Sequence, residues 1–92
     1  MKRFYELSGI LHEKLMFHSG YIPGMADEEL SEIIEMGEDA IQFVIEELRK
    51  GNRYFWWFYI LGEISGENPV EYFHRGYIDK MAEDWIEWGK SR

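Results

Sequence analysis

The chain contains no cysteine. Disulfide cross-links and thiolate metal sites are therefore excluded, and with nothing pointing to an oxidising compartment a reducing cytoplasm is the expected location. Bases are scarce: 10 Lys and Arg stand against 18 Asp and Glu, a formal net charge of -8. That balance opposes a sequence-independent grip on phosphates, so direct nucleic-acid binding is not expected. Long hydrophobic runs are missing too. The longest, from Tyr54 to Leu61, falls far short of the roughly 20 residues that span a bilayer. Lys2 and Arg3 meet Glu6, His12 and Glu13 before any signal-peptide core could develop, and neither a membrane span nor a secretory leader is expected.

What the chain does have is aromatic density. Tyr54-Phe55-Trp56-Trp57-Phe58-Tyr59 is an unbroken aromatic run that continues into Ile60 and Leu61. A helix turns by about 100° per residue, so these side chains point all round the axis and most of that circumference must be covered. The segment is therefore central to the fold or partly an interface. A buried strand is the alternative, since Tyr, Phe and Trp favour sheet. The length of the run, the glycines at both ends and the lack of a second strand to pair with favour helix.

Helical spacing also dominates elsewhere, and 92 residues with 46% hydrophobic content suffice for one domain with one core. Residues 3–17 carry Phe4, Leu7, Leu11 and Leu15 on one stripe, widened by Ile10 and Phe17. Residues 18–24, with two glycines and Pro23, predict a loop. Ala26 or Asp27 opens a second helix with Leu30, Ile33 and Ile34 inward and Glu28, Glu32 and Glu35 outward. Gly37 ends it, and Glu38-Asp39 starts a third with Ala40, Ile41, Val44, Ile45 and Leu48 on one side and Phe43 broadening the arc. Arg49 and Lys50 suit its C-terminal dipole and Gly51 the position just beyond. The aromatic helix is predicted to start at Gly51 or Asn52 and to stop at Gly66, before the turn Glu67-Asn68-Pro69. A last helix runs from Tyr77 to about Lys90, with Ile78, Met81, Ala82, Trp85, Ile86 and Trp88 as its stripe.

Met36-Gly37-Glu38-Asp39-Ala40-Ile41 through Leu48, followed by the helix ending at Ile64, resembles a HEAT-type helical pair. The stretch Trp56-Trp57-Phe58-Tyr59-Ile60-Leu61, then Ile64-Ser65-Gly66-Glu67-Asn68-Pro69-Val70 and Trp85-Ile86-Glu87-Trp88-Gly89, is also similar to a group of small bacterial and phage-associated helical proteins. In that group an aromatic helix runs into an I-T-G-x-N/D-P-V turn and a terminal W-x-x-W-G. This chain departs from the pattern with Ser65 at the usual Thr and Tyr59 at a usual Trp. The resemblance covers about two thirds of the chain, and with the helical spacing it points to an all-α fold of about five short helices over residues 1–92, as a HEAT-like array or an irregular bundle. A HEAT likeness implies a protein-binding scaffold and supplies no catalytic residue.

Motifs for chemistry are incomplete. His12-Glu13 begins H-E-x-x-H, but Met16 stands where the second zinc ligand would be. Glu71-x-x-His74 has di-iron spacing without the second motif and the two further carboxylates such a site needs. No phosphate-binding glycine loop and no G-x-S-x-G nucleophile occur. Neither a cofactor nor a metal is expected, and the chain does not read as an enzyme.

The surface is more informative. Between Asp27 and Glu47 there is no Lys or Arg, and half of all the acids fall there. Such a face commonly serves solubility alone, but it also suits a basic partner or an imitation of the nucleic-acid backbone. On the aromatic helix, projection at about 100° per residue puts Trp56, Tyr59 and Glu63 on one side. Because a glutamate is rarely buried without a partner, that side is expected to reach water or an interface. The competing arrangement covers both rings with Trp85 and Trp88. The expected role is thus non-enzymatic: an adaptor or antitoxin-like partner that holds another protein, or a second copy of itself, through Trp56, Tyr59, Glu63, Glu28, Glu32 and Glu35. The alternative is an acidic inhibitor of a nucleic-acid-binding protein, of the kind used against defence systems. A small enzyme of unknown type ranks third.

Overall fold

A computed structural model describes residues 2–16 and 27–91, and every regular element among them is helical. The elements are α1 (Lys2–Met16), α2 (Asp27–Glu35), α3 (Glu38–Arg49), α4 (Phe55–Ser65), a single 3₁₀ turn at Tyr72–His74 and α5 (Ile78–Lys90). The chain is all-α. No described helix is long and apolar enough to cross a membrane.

Apolar spacing sets most of the burial. Phe4, Leu7, Leu11 and Leu15 of α1 all lie in the core, as do Leu30 and Ile33 of α2. Ile10 is exposed instead of widening the α1 stripe, whereas Phe17 and the loop read at 18–24 lie outside the described residues. Gly37 joins α2 to α3 with φ of 63° and ψ of -132°, a positive-φ conformation that costs a side-chain-bearing residue about 1–3 kcal/mol. From there Ala40, Ile41, Val44, Ile45 and Leu48 face inward, and Phe43 is half-buried against them.

The end of α3 explains why α4 starts later than the spacing predicts. Gly51, at φ 97°, donates its N–H to the Leu48 carbonyl at 3.1 Å, and Asn52 donates to the Glu47 carbonyl at 2.9 Å. This paired closure is a Schellman motif, which satisfies carbonyls that the helix leaves without partners. Arg53 Nε adds a bond to the Leu48 carbonyl at 3.3 Å. Residues 51–53 therefore finish α3, and α4 begins only at Phe55. Gly66 then ends α4 in a left-handed cap.

In space the helices follow the order α1, α2, α4, α3, α5, each packed on the next. The aromatic helix thus lies mid-fold, flanked by α2 and α3. Trp57 is fully enclosed and stacks on Phe4 at 5.7 Å, and Phe4 meets Phe43 at 5.1 Å, which ties α1 to α3 and α4. Helix α5 contributes Ala82 and Trp85 to the core, and Met81, Ile86 and Trp88 pack at its edge while Ile78 stays exposed. Its glycine at 89 lets it approach closely: a Cβ there would sit 3.3 Å from Ile45 Cγ2.

Candidate functional site: the groove between α2 and α4

Helix α4 does not present its rings as the wheel projection predicts. Tyr59 is 52% exposed and Glu63 is exposed, but Trp56 is only 2% exposed and belongs to the core. Part of its surroundings is its own neighbourhood. Tyr54, just before the helix, lies parallel to the Trp56 ring at 4.6 Å, and Phe55 meets it edge-on at 5.2 Å. An extended residue ahead of a helix has no place on a helical wheel. Trp85 and Trp88 pack on each other at 5.0 Å.

The exposed Tyr59 forms a ridge between two depressions. On one side a groove of about 580 Å³ runs between α2 and α4, with Leu15, Leu30, Ile34, Phe55 and Trp56 as its apolar lining and Ser31 at its margin. On the other side Tyr59 borders a hollow of about 440 Å³ containing Phe58, Met81 and Trp85. The Trp56 indole, which walls the first groove, is a buried donor with no acceptor among the described residues.

Carboxylates flank the groove directly. Ser31 also belongs to a shallow surface formed with Glu28, Glu32 and Glu35 on the outer face of α2. Spacings of three and four residues align these positions on one stripe, about one residue's rotation from the stripe of Leu30 and Ile34. The carboxylates of α2 differ in state. Arg3 holds Glu32 through Nε and, at 2.8 Å, through Nη2, and this hydrogen-bonded pairing lowers the Glu32 carboxyl below its ordinary range while raising the guanidinium. Glu29 points inward, is buried, and receives Lys14 Nζ at 2.6 Å. Glu28 and Glu35 are exposed and have no partner among the described residues.

The sequence placed Glu28, Glu32 and Glu35 outside and gave no orientation to Glu29, which is buried. It also missed Glu47, which is buried against Asn52 Nδ2 at 3.3 Å and Lys50 at 3.5 Å. The Lys14–Glu29 pair joins two helices, and helical periodicity carries no signal for such a contact. A third omission is the turn after α4, where Tyr72 and Phe73 are 81% and 70% exposed and Tyr77 is also open to water. Its signal was present: aromatic residues crowded between Pro69 and Gly76 have too short a run to bury a face.

Groups suited to chemistry are dispersed. No set of three or more His, Asp or Glu among the described residues could hold a metal ion. His12 lies edge-on to Tyr54 at 5.1 Å, and His74 is engaged by Asp84. Compared with known proteins, the chain matches no family model, no curated protein and no solved structure.

Proposed function

We propose that the protein is a non-enzymatic interaction module, an adaptor or antitoxin-like partner acting in the cytoplasm, whose binding surface is the exposed edge of α4 with the acidic face of α2. The observation that carries this reading is Tyr59: a large ring, half open to water, standing between two apolar depressions and next to a row of carboxylates. Tyrosine in such a setting is typical of binding hot spots, and neighbouring hollows give a partner's side chains somewhere to go. The HEAT-type resemblance of residues 36–64 agrees with a scaffold that binds along helix faces. Trp56 leaves the set of contact residues as an exposed anchor and remains as part of the groove wall.

The test is site-directed photo-crosslinking. A benzoyl-phenylalanine at position 59, in the native host, captures a discrete protein, and the same probe at exposed Gln42 on α3 does not. Equal labelling from both positions defeats the reading. The acidic-inhibitor alternative draws on Glu28 and Glu35, whose charges are not neutralised within the described residues. It requires that added DNA or RNA displace the captured protein.

A further inference from the structure

We infer that the groove between α2 and α4 takes the apolar face of a basic amphipathic helix presented by the partner, an inference that rests on the interaction reading above. Two stripes of α2 define the complementary ligand. Leu30 and Ile34 face the groove with Trp56 opposite, while Glu28, Ser31 and Glu35 run alongside on the adjoining stripe. Glu28 and Glu35 are seven residues apart, about 10 Å along the axis, or two turns of a ligand helix lying parallel. A helix with apolar residues at i, i+4 and i+7 and Lys or Arg on one flank satisfies both stripes together.

Charge selects among occupants. A second copy of this chain would bring another net -8 against the same carboxylates, and nucleic acid or an anionic lipid surface would be repelled for the same reason. An extended peptide gains nothing by adding as a strand, because the walls are helices whose backbone groups are already paired and no sheet edge exists among the described residues. A purely apolar ligand would fill the groove without using Glu28 or Glu35. Glu32 is already held by Arg3, so the attraction falls on Glu28 and Glu35, the two carboxylates of this face without a partner among the described residues.

The experiment is a selection with a stated probe: a displayed library of amphipathic helices with leucine fixed at i, i+4 and i+7 and the polar positions drawn from Lys, Glu, Gln and Ser. Selected helices are expected to carry a net positive flank. A synthetic winner is expected to bind the intact protein with an affinity that falls as salt rises. Ser31→Trp, an exposed change that obstructs the groove margin, weakens it at least about 10-fold, and Glu28→Gln with Glu35→Gln weakens it about 2- to 10-fold. Circular dichroism establishes that each variant keeps its helicity, and Tyr59→Ser serves as a second groove variant if Ser31→Trp does not. Winners with neutral or acidic flanks, no winners, or winners indifferent to both groove variants overturn the inference. Crosslinking at position 59 reports separately: if it captures a partner while the selection yields no basic helix, the interaction reading stands and only the ligand chemistry fails.

Discussion

His74 and Asp84 are joined by a hydrogen bond of 2.7 Å from the imidazole Nδ1. An ionised carboxylate can only accept, so the proton belongs to Nδ1. The Glu71 N–H donates to the same Asp84 oxygen at 3.1 Å, and together the two bonds fasten the aromatic turn at Tyr72–His74 to α5. Without this clasp the turn would have little to hold it, since none of its three residues is buried.

Asp84 should therefore give acid-dependent stability. Burial pushes its carboxyl up, but the His74 and Glu71 hydrogen bonds, with the electrostatic attraction of His74 and Lys80, outweigh that and hold it below the ordinary carboxylate range. A depressed native value means the contribution is complete above the unfolded-state value and fades as pH falls through the native one. Asp84→Asn is expected to lower stability by about 1 kcal/mol near neutrality. In urea titrations from pH 7 down to pH 2, the gap between wild type and variant should close at the acid end. A gap that persists unchanged would locate the effect elsewhere.

Two glycines should respond to alanine in opposite directions. Gly9 lies within α1 with open space where a Cβ would go, so Gly9→Ala gains helix propensity of about 0.5–1 kcal/mol. Gly37 also has space, but its φ of 63° makes Gly37→Ala destabilising by about 1–3 kcal/mol. Thermal melts of the two variants should move apart on either side of wild type.

The terminal helix provides a measure of how firmly the fold is closed. Trp85 is buried with Ala82 against the core, and Trp85→Ala should cost about 3–5 kcal/mol. Against a total stability on the order of 5–14 kcal/mol for a chain this size, that loss is readily seen in chemical denaturation. A loss below about 1 kcal/mol would show α5 to be loosely docked.

How much of this was legible in the sequence follows from what periodicity can encode. The Phe4, Leu7, Leu11 and Leu15 stripe of α1, the stripe of α3 and the stops at Gly37 and Gly66 depend on local spacing and turn chemistry, and they appear where they were read. The site depends on relations that spacing does not carry. Trp56 is covered by Tyr54, a residue outside the helix, and Glu29 is drawn inward by Lys14 from another helix. Glu63 did mark an exposed side of α4, but that side does not include Trp56 two turns earlier. The exposed stripe on that side runs through Phe55, Tyr59 and Glu63, whereas Trp56, at its margin, is stacked under Tyr54.

That asymmetry makes Trp56 and Tyr59 a matched pair for separating fold from interface. They are near neighbours on α4, yet one is core and the other is half open to water. Trp56→Ser should lose about 3–5 kcal/mol and any binding defect would follow from unfolding. Tyr59→Ser removes exposed surface, so its melting temperature should stay within a few degrees of wild type, and its helical circular dichroism should be unchanged. Crosslinking from a photoreactive residue at Glu35, on the acidic face of α2 that adjoins the groove, should still drop at least about 10-fold when Tyr59 is Ser. If the Tyr59 variant melts as early as the Trp56 variant, the ring is structural. If it is stable and crosslinking is undiminished, the partner does not use the ridge of α4.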